Sequence, residues 1–153
     1  QNQTVTLGPS GLPLPRFVSL KSGRVNMRVG PGTQYEVEWM YLKPGLPMEI
    51  IQEYDNWRRV RDAHGAEGWI HHALLSGRRT GIIAHWFQGR ETTFSLLAAP
   101  REGARTIALV GAGAIGEVVM CNGQWCRMTF SGYKGWMEQD AIWGVYPGET
   151  IAE

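Results

Sequence analysis

The chain has 153 residues, with 15 Lys and Arg against 14 Asp and Glu, for a formal net charge of +1. Dedicated nucleic-acid binders carry a strong basic balance, so this charge argues against that class. Glycine numbers 20 and tryptophan 7, and the short runs between Gly and Pro favour an all-β protein over one built on long helices.

No run of about 18 apolar residues exists, so no segment reads as a membrane-crossing helix. The chain opens at Gln1 without a methionine, which fits a mature product after removal of an export signal. A chain trimmed at its start reads the same. Residues 1–15 hold three prolines and little core periodicity, and are expected to form a flexible or polyproline-like arm. Within and beyond it, Leu12 to Arg16 looks like a proline-rich ligand, but is read as an arm packed on a sheet edge.

Strands are predicted over Phe17–Leu20 and Val25–Val29, the second ending at the loop Gly30-Pro31-Gly32. Further strands follow at Val37–Leu42, Met48–Tyr54, Trp57–Arg61 and Gly68–His71, with turns at Lys43–Gly45, Asp55-Asn56 and Asp62–Gly65. His72–Leu75 fits a single helical turn. The order then recurs: Gly45, Glu49, Trp57 and Arg59 return 68 positions later as Gly113, Glu117, Trp125 and Arg127. Gly68-Trp69 returns one residue sooner, as Gly135-Trp136. Solenoid units run about 20–50 residues, so this spacing marks a duplicated small domain instead.

The expected boundaries are an arm at 1–15, a first domain at 16–79, a connector at 80–91, a second domain at 92–146 and a tail at 147–153. The apolar content of the connector favours a strand or packed joint. The halves differ in charge: residues 16–79 hold ten Lys and Arg against seven Asp and Glu, and residues 80–153 hold five against seven. Arg58, Arg59, Arg61, Arg78 and Arg79 form a basic set, read as a salt-bridged face with Glu49, Glu53 and Glu67.

Gly111-Ala112-Gly113-Ala114-Ile115-Gly116 after an apolar run imitates a dinucleotide fingerprint, which requires a helix next to receive the pyrophosphate. Asn122-Gly123 turns the chain instead, and no acidic residue stands about twenty positions on, where Ser131 is found. The glycines are therefore assigned to a strand-to-strand turn, and no cofactor is expected.

Cys121 and Cys126 flank Asn122–Trp125. If those four residues form the hairpin end, the cysteines face each other with Cβ atoms within roughly 4.5–5.5 Å, near disulfide reach. If Asn122-Gly123 alone turns, the register shifts and they do not. A disulfide is the expectation and implies an oxidising compartment; the alternative is two reduced, half-buried thiols. A metal site needs more ligands than this sequence brings near the pair. His71 and His72 are adjacent, so on a strand they point to opposite faces. His64 sits in a turn and His85 in the connector, and no nucleophile stands beside a base. No catalytic residue is assigned.

Arg24–Gly32, with its Asn26-x-Arg28-x-Gly30-Pro31 core, resembles the opening of bacterial SH3 domains. Asn56–Val60 followed by Gly65–Ile70 resembles the end of an SH3-like barrel. The likeness covers most of residues 16–78 and, more loosely, 92–143. It is similar to exported SH3-like proteins of Gram-negative bacteria with two such modules.

That resemblance implies two SH3-like β-barrels of five or six short strands each, packed together. Trp69 and Trp136 are expected as core residues. The resemblance further implies a ligand groove in the first barrel from Tyr35, Tyr54, Trp57 and Arg58, because Trp57 aligns with the groove tryptophan of eukaryotic SH3 domains. The proline and tyrosine of the polyproline pocket are replaced here by His71–Leu74 and Glu138–Ala141, which argues against proline-rich ligands. The expected function is a non-catalytic, periplasmic or secreted binding or scaffold module of the bacterial envelope. Its partner is an envelope protein or a peptidoglycan peptide. The alternative is a structural accessory subunit of a larger periplasmic or membrane-associated complex.

Overall fold

Alternating apolar and polar residues between turn-formers produce short strands, and the computed structural model, which describes residues 5–87 and 89–153, joins them by turns and loops, with three short 3-10 turns among the described residues. The chain divides into two units, Gln1–Arg78 and Arg79–Glu153. The first contains β1 (Thr6–Leu7), β2 (Pro13–Leu14), β3 (Arg16–Leu20), β4 (Val25–Arg28), β5 (Val37–Tyr41), β6 (Pro47–Tyr54), β7 (Trp57–Arg61), β8 (Glu67–His71) and β9 (Leu75–Ser76). The second contains β10 (Thr80–Ile83), β11 (Thr93–Leu97), β12 (Thr106–Gly111), β13 (Ile115–Asn122), β14 (Trp125–Phe130), β15 (Tyr133–Glu138), β16 (Ile142–Trp143) and β17 (Thr150–Ile151).

The two main sheets have one topology. Strands β5-β4-β8-β7-β6-β3-β9 of the first unit run in the same spatial order as β12-β11-β15-β14-β13-β10-β16 of the second. Each unit has its own core: Val25, Met27, Met48, Ile50, Val60 and Ile70 in the first, and Leu96, Val110, Val118, Met128, Met137 and Ile142 in the second. Both are SH3-like all-β barrels.

Two pairs of repeated glycines have physical causes. A Cβ on Gly68 would come within 2.9 Å of the Arg28 carbonyl oxygen, and one on Gly135 within 2.8 Å of the Leu97 carbonyl oxygen. Only glycine allows β8 to cross β4, and β15 to cross β11, this closely. Gly45 and Gly113 sit in turns at φ +79° and +89°, a conformation that costs glycine little and other residues much. The strand-to-strand turn assigned to Gly113 is therefore present, followed directly by β13.

Several expectations are corrected. Residues 80–83, placed in the connector, are the first strand of the second barrel, because Ile82 pairs with both Ile115 and Trp143. In the tail, Thr150–Ile151 pairs with β13. Of the expected arm, residues 1–4 lie outside the described residues, while β1 and β2 form a small hairpin and Leu14 packs on the first core. Trp69 and Trp136 are half-buried on the outer face, since strand alternation puts Ile70 and Met137 in the cores instead.

Cys121 and Cys126 are directly paired across β13 and β14 and form a disulfide within the second core. The turn centres on Gly123-Gln124, one residue later than Asn122-Gly123. Asn122 stays in the strand, its Oδ1 accepting from the backbone N–H of Gln124 at 2.9 Å and of Trp125 at 2.8 Å. Replacing both cysteines by alanine is expected to destabilise the second unit by about 2 kcal/mol, the entropy of so short a loop. Urea unfolding followed through the second unit's tryptophans checks this, and an unchanged midpoint contradicts it.

Candidate functional site

Strand register decides which of the expected groove residues meet. Tyr54, Trp57 and His71 are direct partners across β6, β7 and β8, so their side chains share one face. The Trp57 and His71 rings lie 5.3 Å apart, edge to face. His71 does not oppose His72: the chain leaves the strand into a 3-10 turn at His72–Leu74, and the two rings come to 4.9 Å. The backbone N–H of Ala73 donates to His71 Nδ1 at 3.1 Å, which makes that ring nitrogen an acceptor. Tyr54 is 60% exposed at the end of this row.

Tyr35 is placed differently. Its ring lies against Gly30, where a Cβ would come within 2.5 Å. Arg28 Nη1 donates to the carbonyls of Thr33 and Tyr35 at 3.2 and 2.9 Å. Within the Asn26-x-Arg28 signature, Arg28 thus holds the loop between β4 and β5, while Asn26 keeps Oδ1 buried without a partner.

Arg58 is not a groove residue. It stands opposite Glu53 and Ile70, on the inward-facing row. Its Nε lies 3.4 Å from Glu53 Oε2, and its Nη1 donates to the carbonyls of Asp55 and Trp57. Glu53 also accepts from the N–H and hydroxyl of Ser10 at 2.9 and 2.7 Å, and pairs with Arg16 at 2.8 Å. Burial alone would raise the Glu53 carboxyl pKa, but the hydrogen bonds from Ser10 and the neighbouring Arg16 outweigh it and hold the carboxyl below its ordinary value. Of the remaining basic set, Arg59 pairs with Glu67, Arg61 lies near Glu49 and Glu67, and Arg79 binds Glu149.

The second barrel carries a cleft of about 790 Å³ beside Trp125, within the size range of about 300–1,000 Å³ for ligand sites. One wall is the loop between β11 and β12, with Pro100, Arg101 and Glu102; the other is Pro147-Gly148. Trp125, Glu138, Gln139 and Asp140 lie between them. A smaller recess of about 380 Å³ shares Glu102, Trp125 and Glu138. The cleft lies beside Trp125, the repeat of Trp57, around which the sequence leads one to expect a groove in the first copy.

Polar bonds hold the outer wall. Arg79 donates through both Nη atoms to the Glu149 carboxylate at 2.9 Å, and through Nη2 to the Gly144 carbonyl at 2.9 Å. Glu149 Oε1 also accepts from the N–H of Tyr146. Gln139 Nε2 donates to the carbonyls of Tyr146 and Glu149 at 3.1 and 2.8 Å. Burial would raise the Glu149 carboxyl pKa; Arg79 and the Tyr146 N–H reverse this and lower it.

This geometry agrees with the family. The model of the bacterial SH3 domain matches residues 21–77 and again 91–144, and the chain belongs to that family as a tandem protein. No curated protein matches it. Among solved structures, NlpC2 from Trichomonas vaginalis is similar at 15% identity, covering 84% of this chain and 48% of its own, with a TM-score of 0.36. NlpC1 from the same organism is similar at 14% identity, covering 92% of this chain and 50% of its own, also at 0.36. The chain spans about half the length of each.

Because Glu53 is held low, the stability it contributes is present above the unfolded carboxylate pKa and is lost as pH falls through its folded value. Glu53→Gln is expected to cost about 3 kcal/mol at neutral pH, as for one partner removed from a buried ion pair. It should also flatten the acid side of the stability profile. Urea midpoints from pH 7 down to pH 3 check this; a variant that keeps the wild-type slope contradicts it.

Proposed function

We propose that the protein is a non-catalytic binding or scaffold module of the bacterial envelope, which holds a protein partner or a peptidoglycan peptide in the SH3-like groove of its second barrel. The observation that carries this reading is the cleft beside Trp125, where an aromatic side chain meets several polar groups between two walls. Membership in the bacterial SH3 family supports the envelope setting. The disulfide supports a periplasmic or secreted location, where thiols are oxidised. A non-catalytic role is favoured because both cysteines are consumed in that bond and His71 Nδ1 is occupied by a backbone donor.

A second reading, the structural accessory subunit, is favoured by β5. This strand ends the first sheet, and Val37, Trp39 and Met40 on it are 43%, 59% and 38% exposed, followed by Leu42 at 68%. Exposed apolar edge strands are templates for pairing with another chain.

Co-sedimentation with purified peptidoglycan and pull-down from envelope extracts separate these readings. Trp125→Ala is expected to weaken capture about tenfold, the effect of losing an aromatic anchor, while Trp39→Ser leaves it unchanged. Loss with Trp39→Ser alone favours the accessory subunit. Absence of capture in both formats removes the groove reading.

A further inference from the structure

The cleft of the second barrel is lined by acceptors that lack donors. Glu102, Glu138 and Asp140 are exposed on it, and no described cation or hydrogen-bond donor engages their carboxylates. Elsewhere in the same unit, by contrast, Glu149 holds Arg79 and Glu153 approaches Arg127. The lining offers one guanidinium, Arg101, against three carboxylates. Like charges gathered on one cleft repel one another, and an entering cation relieves that repulsion.

Gln139 adds an independent observation. It lines the cleft at 4% exposure, and both donors of its amide are used on the carbonyls of Tyr146 and Glu149. Its Oε1 is buried and has no partner. A buried acceptor left unpaired is costly, and a donor brought by a ligand removes that cost. Trp125 supplies an aromatic surface beside these groups, suited to a cation by its ring quadrupole.

Resting on the reading of this cleft as the ligand groove, we propose that it takes a lysine or arginine side chain from an extended basic segment of a partner protein. Among the charged groups of the lining, three carboxylates stand against Arg101, beside the π-face of Trp125, so the matching ligand is a donor-rich cation. Peptidoglycan stem peptides bring carboxylates of their own, which this lining repels.

The test uses the whole chain and a fluorescein-labelled peptide bearing two lysines, with matched peptides carrying acetyl-lysine or glutamate instead. By fluorescence anisotropy the lysine peptide is expected to bind about tenfold tighter than either, with the preference shrinking at high salt. The combined Glu138→Gln and Asp140→Asn variant, changed only at exposed positions, is expected to lose that preference; Trp125→Ala is expected to weaken binding. Equal binding of the three peptides, or an undiminished preference in the carboxylate variant, overturns the proposal. Binding of purified muropeptides but not of the lysine peptide overturns it while leaving the groove reading in place. Binding of neither peptide class removes both.

Discussion

The pair of residues one step inward from the tryptophan of the long hairpin decides how each barrel is finished. In the first barrel that pair is Glu53 and Arg58, across β6 and β7; in the second it is Cys121 and Cys126, across β13 and β14. The positions are repeats of each other, 68 residues apart, and both pairs point inward. A carboxylate there loses its hydration, so its lone pairs must be met by protein donors. Arg58 alone does not meet them. The N-terminal hairpin does, through the N–H and hydroxyl of Ser10, and Arg16 completes the set. The disulfide makes no such demand, because two bonded sulfurs pack as an apolar group among Val118, Met128 and Met137.

That difference redirects the arginine at the start of β3 and its counterpart just before β10. Phe17 pairs with Glu49, and Thr80 pairs with Glu117, the repeat of Glu49. Arg16 and Arg79 therefore occupy equivalent positions. Arg16 turns to Glu53. With a cysteine at the equivalent of Glu53, Arg79 has no carboxylate there and binds Glu149 in the C-terminal segment instead. Its second bond, to the Gly144 carbonyl, and the Tyr146 N–H on Glu149 fix the segment that walls the cleft. One substitution pair in the hairpin thus accounts for which segment each arginine ties down.

Much of this was legible in the sequence because it rests on local chemistry. Gly45, Gly113, Gly68 and Gly135 mark the places where a turn or a close strand crossing forbids a side chain. The facing cysteines follow once four residues separate them at a hairpin end. What was hidden depends on which residues meet across the sheet. Arg58 is expected in the groove beside Trp57, yet alternation turns it inward to Glu53, one of the carboxylates expected to pair with the basic set. A strand or packed joint is expected among residues 80–91, but not that Thr80–Ile83 opens the second barrel, because it shares little with Arg16–Leu20 beyond the arginine at or before its start. His72 joined His71 because the strand stops there, a boundary that neighbouring residues alone do not fix.

The cleft was hidden for a related reason. Its chemistry comes from positions where the two copies differ, while the duplication draws attention to positions where they agree. After the shared Gly-Trp pair, the first barrel continues His71, His72 and Ala73, and the second continues Glu138, Gln139 and Asp140. In the first, the His71 ring meets Trp57 edge to face and the His72 ring lies beside His71, which makes an aromatic row. In the second, the same three steps place two carboxylates and a buried amide beside Trp125. The scaffold is held constant by core, glycines and topology, so these few side chains can change surface character without disturbing it. The acidic bias of residues 80–153 is therefore not spread evenly over a barrel, because three of its seven acidic residues line one cleft.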